Sequence, residues 1–187
     1  MAAAFPLGWR YVEPHQERDT LCAAGRDFPR GRISEITGTR SSGRTSVLHA
    51  LLAASTSQGE CAALVDTKDA FDACSAAAMG VELSKLVWVR CGGHAEHALR
   101  AADLLIQAGG FGVVALDLAE VAPPALNRIP PTAWFRFRRA VESTPTILAV
   151  TADLPLAKSC SSMTIKLPLR RVVFTGRAPF FLLRDAG

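Results

Sequence analysis

The stretch Ile33-Ser34-Glu35-Ile36-Thr37-Gly38-Thr39-Arg40-Ser41-Ser42-Gly43-Arg44-Thr45-Ser46 decides the fold. An apolar run of strand length, Ile33–Thr37, breaks into a loop rich in glycine and serine. Helical periodicity then starts at Thr45 and places Val47, Leu48, Leu51 and Leu52 on one side of a helix reaching Ala54. From Gly38 to Thr45 the spacing is Gly-x-x-x-x-Gly-(Lys/Arg)-(Ser/Thr), the form of a phosphate-cradling loop set between a buried strand and a helix. In such a loop main-chain N–H groups turn inward, glycines permit close approach, and the helix N-terminus adds a favourable dipole. The candidate nucleotide-binding residues are therefore Gly38, Thr39, Arg40, Ser41, Ser42, Gly43, Arg44, Thr45 and Ser46, with the Thr45 hydroxyl offered to Mg²⁺. Arg44 stands where lysine is usual, and its planar guanidinium does not reproduce a compact ammonium against terminal phosphates. Binding without efficient hydrolysis is the expectation; the simpler alternative is a turn that merely joins strand to helix.

Outward from the loop, strand-length apolar runs alternate with helical patterns, the order of successive βα units that build a parallel sheet. Strands are predicted at Cys61–Val65, Leu86–Arg90, Gly112–Leu118 and Thr146–Thr151. Helices are predicted from Asp69 to near Gly80, over Ala95–Ala108, and from Pro131 or Thr132 to Glu142, after a proline-marked loop. Short strands at Met163–Leu167, Arg171–Thr175 and Phe180–Arg184 close the chain, the last two as a hairpin, so that a small antiparallel edge follows the parallel sheet. The first 30 residues, with Pro6, Pro14 and Pro29 and a weak helical stretch near Arg18–Gly25, predict a lead-in segment before a core domain at 31–187. Asp117 ends the apolar run Val113–Leu116 and predicts a strand-end carboxylate that holds Mg²⁺ through water. Capping the next turn is its alternative role.

With 187 residues, 49% of them apolar and 20% charged, the chain can bury a core, and no apolar run approaches the roughly 18 residues a membrane span needs. Met1–Arg10 lacks a basic stretch ahead of an apolar one, so a cytoplasmic location is expected. Five cysteines without a Cys-x-x-Cys pair predict a reducing compartment, three of them in surroundings typical of buried thiols. The net charge of +4 is uneven: residues 1–120 carry 11 Lys/Arg against 14 Asp/Glu, and residues 121–187 carry 10 against 3. Three of those arginines, Arg136, Arg138 and Arg139, interleave with Trp134, Phe135 and Phe137. They form a candidate face for docking a partner or DNA, although packed aromatics beneath solvated arginines are the commoner origin of such a pattern. Cys91, His94 and His97 have a spacing that can place metal ligands on one helical turn, but no fourth ligand lies nearby.

In this order, the segments resemble the RecA recombinase superfamily over about Pro29–Leu167. The likeness is carried by Arg32–Ile36 and the loop, Cys61–Asp66, Ala78–Glu82 with Leu86–Val89, Ala98–Asp103, and the acidic strand. The Ser-Gly-Arg-Thr loop, Phe111–Leu118 and Trp134–Arg139 are also similar to the ImuA branch, RecA-like accessory proteins of bacterial translesion mutasomes. The resemblance implies an α/β fold, a RecA-like P-loop NTPase core with a mostly parallel sheet flanked by helices, and implies ATP and Mg²⁺ as cofactors.

The departures imply more. Active recombinases carry a glutamate just after the second strand to position the attacking water, and Lys68 holds that place. Asp66 and Asp69 are the remaining candidates for the role, each also explained as a strand-end or helix-cap carboxylate. Against the family pattern, the γ-phosphate-sensing glutamine is absent where Ile147–Thr151 runs into Ala152-Asp153-Leu154-Pro155, the two mobile DNA-binding loops are much shortened, and the separate C-terminal domain is missing. The expectation is a catalytically weak or inactive adaptor in DNA repair, partnered with translesion polymerase components or a RecA filament and touching DNA weakly or indirectly. A small DNA-dependent ATPase and a filament-capping subunit are the alternatives.

Overall fold

A computed structural model describes residues 19–169, and the backbone of 171–177 and 180–186. Met1–Arg18, Arg170, Ala178, Pro179 and Gly187 lie outside the described residues.

The sheet follows from strands that are apolar on both faces. Strand β1 spans Thr20–Ala23, β2 Arg26–Pro29, β3 Ile33–Gly38, β4 Cys61–Asp66, β5 Leu86–Arg90, β6 Phe111–Asp117, β7 Ile147–Ala152 and β8 Ser161–Leu167. In β6, Val113 and Ala115 enter one core while Val114 and Leu116 enter the other, the alternation a pleated strand imposes when helices cover both sides. Six strands pair in the order β5-β4-β6-β7-β3-β8, all parallel. Helices α1 (Arg44–Ser57) and α2 (Ala73–Ala78) cover one face. The other is covered by α3 (Ala95–Ala108) and α5 (Pro131–Val141), with the short α4 (Pro123–Leu126) turning the chain between them.

The predicted parallel α/β architecture is thus present, and β8 extends it by pairing parallel to β3. Antiparallel pairing follows in β9 (Arg171–Arg177) and β10 (Phe180–Ala186), which bond to each other as a separate two-stranded sheet.

Three local expectations are corrected. Within the stretch expected to be helical, Thr20–Ala23 is a strand. Ala24 and Gly25 both adopt positive φ and turn the chain straight back into β2, the geometry of a two-residue hairpin. The hairpin lies on α1 and buries Leu21 and Phe28. Asp69 does not cap the helix after β4. Asp72 does, accepting from the Cys74 and Ser75 N–H groups at 3.1 and 3.3 Å, because Thr67–Phe71 is held as a turn by Asp66. Only Cys91 and Cys160 are buried thiols; Cys22, Cys61 and Cys74 are exposed, and all five are free.

A charged side chain sits in the middle of β3. Glu35 of β3 is fully buried, and its Oε1 accepts from the Leu156 and Ala157 N–H groups at 2.6 and 2.8 Å, tying the β7–β8 connection to the centre of the sheet. A carboxylate in that position is tolerable because main-chain donors replace its water. Replacing it by alanine strands both donors. Glu35→Ala should lower stability by about 2–4 kcal/mol and Tm by about 5–10 °C in a thermal melt, and Glu35→Gln, which keeps an acceptor oxygen, should lose less.

Candidate nucleotide-binding site

Four chain segments meet at the carboxyl end of the sheet: the loop after β3, and the turns after β4, β6 and β7. Ligands of open parallel sheets bind at this end. Here the register aligns Thr37 with Ala152 and Asp117 with Thr151, so Gly38, Asp117 and Asp153 emerge close together.

The loop has the shape that its sequence predicts. Gly38 is required sterically, since a Cβ there would lie 2.8 Å from the Leu167 carbonyl oxygen and 2.9 Å from the Ser42 Cβ. The Ser42 N–H closes a turn onto the Thr39 carbonyl at 3.1 Å, and Ser41 holds a positive φ of 63°. Gly43, at φ 92°, begins α1 without a side-chain cap, leaving the first helical N–H groups open for an acceptor. A Cβ at Gly43 would meet nothing within 4 Å, so the space before α1 is open. Thr45 and Ser46 are exposed beside it. Backbone donors, an open approach and an exposed hydroxyl fit a bound phosphate and its Mg²⁺.

The loop's two arginines are already engaged. Arg44 is buried and forms an ion pair with Asp153, in the turn after β7. Arg40 makes a two-pronged pair with Glu120, Nε to Oε1 at 3.0 Å and Nη2 to Oε2 at 2.7 Å. This pairing, chiefly its hydrogen bonds, holds the Glu120 carboxyl below the usual range and raises the Arg40 guanidinium. Glu120, at φ 59°, also donates its N–H to Asp153 Oδ1 at 3.4 Å. Neither Asp153 nor Glu120 was singled out from sequence as a site residue. The available signal was position, since each closely follows the carboxyl end of a buried strand.

Asp117 sits at the predicted strand end. Its carboxylate accepts from the Thr151 hydroxyl and from the Ala119 N–H at 2.9 Å, and burial pushes its pKa up against those bonds. Asp66 and Asp69 are separated in role. Asp66 is buried and accepts from Ala70 and Phe71 N–H at 3.1 and 2.9 Å and from Trp88 Nε1 at 3.3 Å. Asp69 pairs with Arg90 at 3.2 Å, and Lys68 is exposed between them.

The other candidates lie elsewhere. Arg136, Arg138 and Arg139 are exposed on α5, where Arg136 pairs with Asp103 at 3.1 Å and Arg138 with Glu142 at 3.8 Å. Trp134 and Phe137 are buried beneath them, whereas Phe135 is exposed. Cys91 is buried and His94 precedes α3, its ring 4.9 Å from that of His97. Among the described residues no group of three or more His, Cys, Asp or Glu is placed to hold a metal ion. Nor, among them, is any helix long and apolar enough to cross a membrane.

A parallel α/β sheet with a glycine-bounded phosphate loop after a central strand and an aspartate ending a nearby strand defines a P-loop protein. The model of the RecA N-terminal domain family matches residues 19–126, more than half of the chain, and the chain belongs to this family. Protein RecA of Treponema denticola is 38% identical over 99 residues, covering 52% of this chain and 24% of that protein. Protein RecA of Borreliella afzelii is 36% identical over 100 residues, covering 54% and 27%. The match therefore spans no more than 27% of either relative's length. Among solved structures, a RadB recombinase shares the fold with a TM-score of 0.57 at 15% identity, over 76% of this chain and 77% of that one.

The raised Asp117 carboxyl makes a signed pH prediction. A buried acid that binds its proton more tightly in the folded state costs stability as pH rises through its range. Asp117→Asn, which cannot ionise, should gain thermal stability over the native chain as pH increases from about 4 to neutrality, at about 2–4 °C per kcal/mol. Melts across that interval showing a constant difference would contradict the burial effect.

Proposed function

We propose that this RecA-family chain is an adaptor of DNA repair, akin to the ImuA branch, with a loop that holds a nucleotide but does not drive its turnover. Gly38–Ser46 receives the phosphates of ATP or its product, and Thr45 with Asp117 holds Mg²⁺, directly and through water. Bound Mg²⁺ would neutralise phosphate charge. Lys68, a cation where a water-positioning glutamate would stand, supports the lack of turnover.

The observation that carries this reading is that both carboxylates able to replace that glutamate are occupied. Asp66 is consumed by three hydrogen-bond donors that shape the turn after β4, and Asp69 faces Arg90. A carboxylate drawn to such partners is a poorer general base than one left free to face its water. On this reading the basic α5 face, with Arg136, Arg138, Arg139 and the exposed Phe135, meets either translesion polymerase components or a RecA filament. Any DNA contact through it would rest on phosphates and weaken steeply with salt.

The test combines nucleotide titration by calorimetry with a phosphate-release assay. The chain should bind nucleotide in the presence of Mg²⁺, and Thr45→Val should weaken binding by at least about tenfold. Single-stranded DNA should not stimulate phosphate release. DNA-stimulated release lost in Asp69→Ala would instead make the chain a small ATPase, and nucleotide-independent co-sedimentation with recombinase filaments would make it a capping subunit.

A further inference from the structure

We infer that the loop discriminates by phosphate-chain length, taking a nucleoside diphosphate in preference to a triphosphate, and that Asp153 is the residue that sets this preference. The inference rests on the proposed nucleotide role of Gly38–Ser46 and specifies which nucleotide that loop holds.

Two kinds of donor act in a loop of this form. Main-chain N–H groups cradle the inner phosphates, and the side chain just before the Ser/Thr reaches the outer ones. Here the first kind is available. Gly43 opens α1 without a cap, and the space beside it is clear.

The second kind is not available. Arg44 is buried, and its Nη1 is bound to the Asp153 carboxylate, which is itself half-exposed at the mouth. The position of Asp153 is fixed by more than this contact. It directly follows the last residue of β7, the strand adjacent to β3 in the sheet, and its Oδ1 also accepts the Glu120 N–H. Glu120 is anchored in turn by the two-pronged bond to Arg40 of the same loop.

A third phosphate entering this end meets a carboxylate where a cation would ordinarily receive it. It must either lie against that like charge or take Arg44 from Asp153 and leave the carboxylate uncompensated. A diphosphate held by the backbone donors does neither. Arginine in place of lysine and aspartate near the end of β7 therefore act together: the longer side chain reaches the acid and closes the outer subsite.

Calorimetric titration of the intact chain with MgADP and with MgATP tests this directly. The native protein should bind MgADP about tenfold more tightly than MgATP, and Asp153→Asn should bring the two within about twofold, mainly by tightening MgATP. Asp153→Ala provides a second variant if the amide disturbs folding, which circular dichroism would reveal. Equal affinities, or tighter MgATP, in the native chain would overturn the length preference while leaving the nucleotide loop intact. A preference for MgADP unchanged in both variants would overturn the assignment to Asp153. Binding of neither nucleotide by the native chain or the variants would refute the nucleotide reading of the loop, and this inference with it.

Discussion

The arrangement depends on one constraint: β3 is paired on both sides, by β7 and β8, so the chain can leave the sheet only beyond its carboxyl end. Every residue from Ile33 to Thr37 is buried, and Gly38, the last residue of β3 and still paired with Leu167, is the first that is not. Gly38 lies against the Leu167 carbonyl and Ser42, which leaves no room for a side chain. The tight path of the loop is thus a product of the same packing that secures the sheet. Glu35 adds a polar lock three residues earlier, since its buried carboxylate holds the connection between the two strands flanking β3. The walls of the mouth and the strand beneath it are therefore a single mechanical unit.

At that mouth, charge is balanced within the protein itself. Arg40 and Arg44 face Glu120 and Asp153, contributed by the turns after β6 and β7. The two pairs differ in strength of commitment. Arg40 and Glu120 are solvent-exposed, so their attraction is screened and modest. Arg44 is 7% exposed, and a guanidinium that deep needs a partner or it would be expelled. The buried arginine and the acid beyond β7 consequently depend on each other, and Asp117 nearby, raised by burial, feels the same enclosed setting.

Much of this was readable from the sequence where local spacing carries the information. The loop from Gly38 to Thr45, the helix α3 and the acidic strand end at Asp117 are patterns contained in a few neighbouring residues. The hairpin β1–β2 was not legible, because four-residue strands with polar outer positions give no period, and its turn depends on positive φ at Ala24, a residue with no special preference for it. Asp72 as the cap of α2 was missed because Asp66, six residues earlier, claims the intervening N–H groups. The pairing of Arg44 with Asp153 spans 109 residues and exists only because β7 lies beside β3, an adjacency that a list of strands does not contain. Glu35 shows the same limit from the other side: inside an apolar run it reads as one strand residue, and its partners lie more than 120 positions away.

The hairpin of β1 and β2 has a consequence for how the chain can be cut. Leu21 and Phe28 join the core that also holds Leu48 and Leu52 of α1 and Ile165 of β8, so this early hairpin is packed into the domain. A fragment begun at Gly31 would retain the phosphate loop and the entire sheet yet leave a greasy scar along the helix that carries Thr45. Such a fragment would self-associate through that scar. Expression boundaries and fusion junctions thus belong before Thr20.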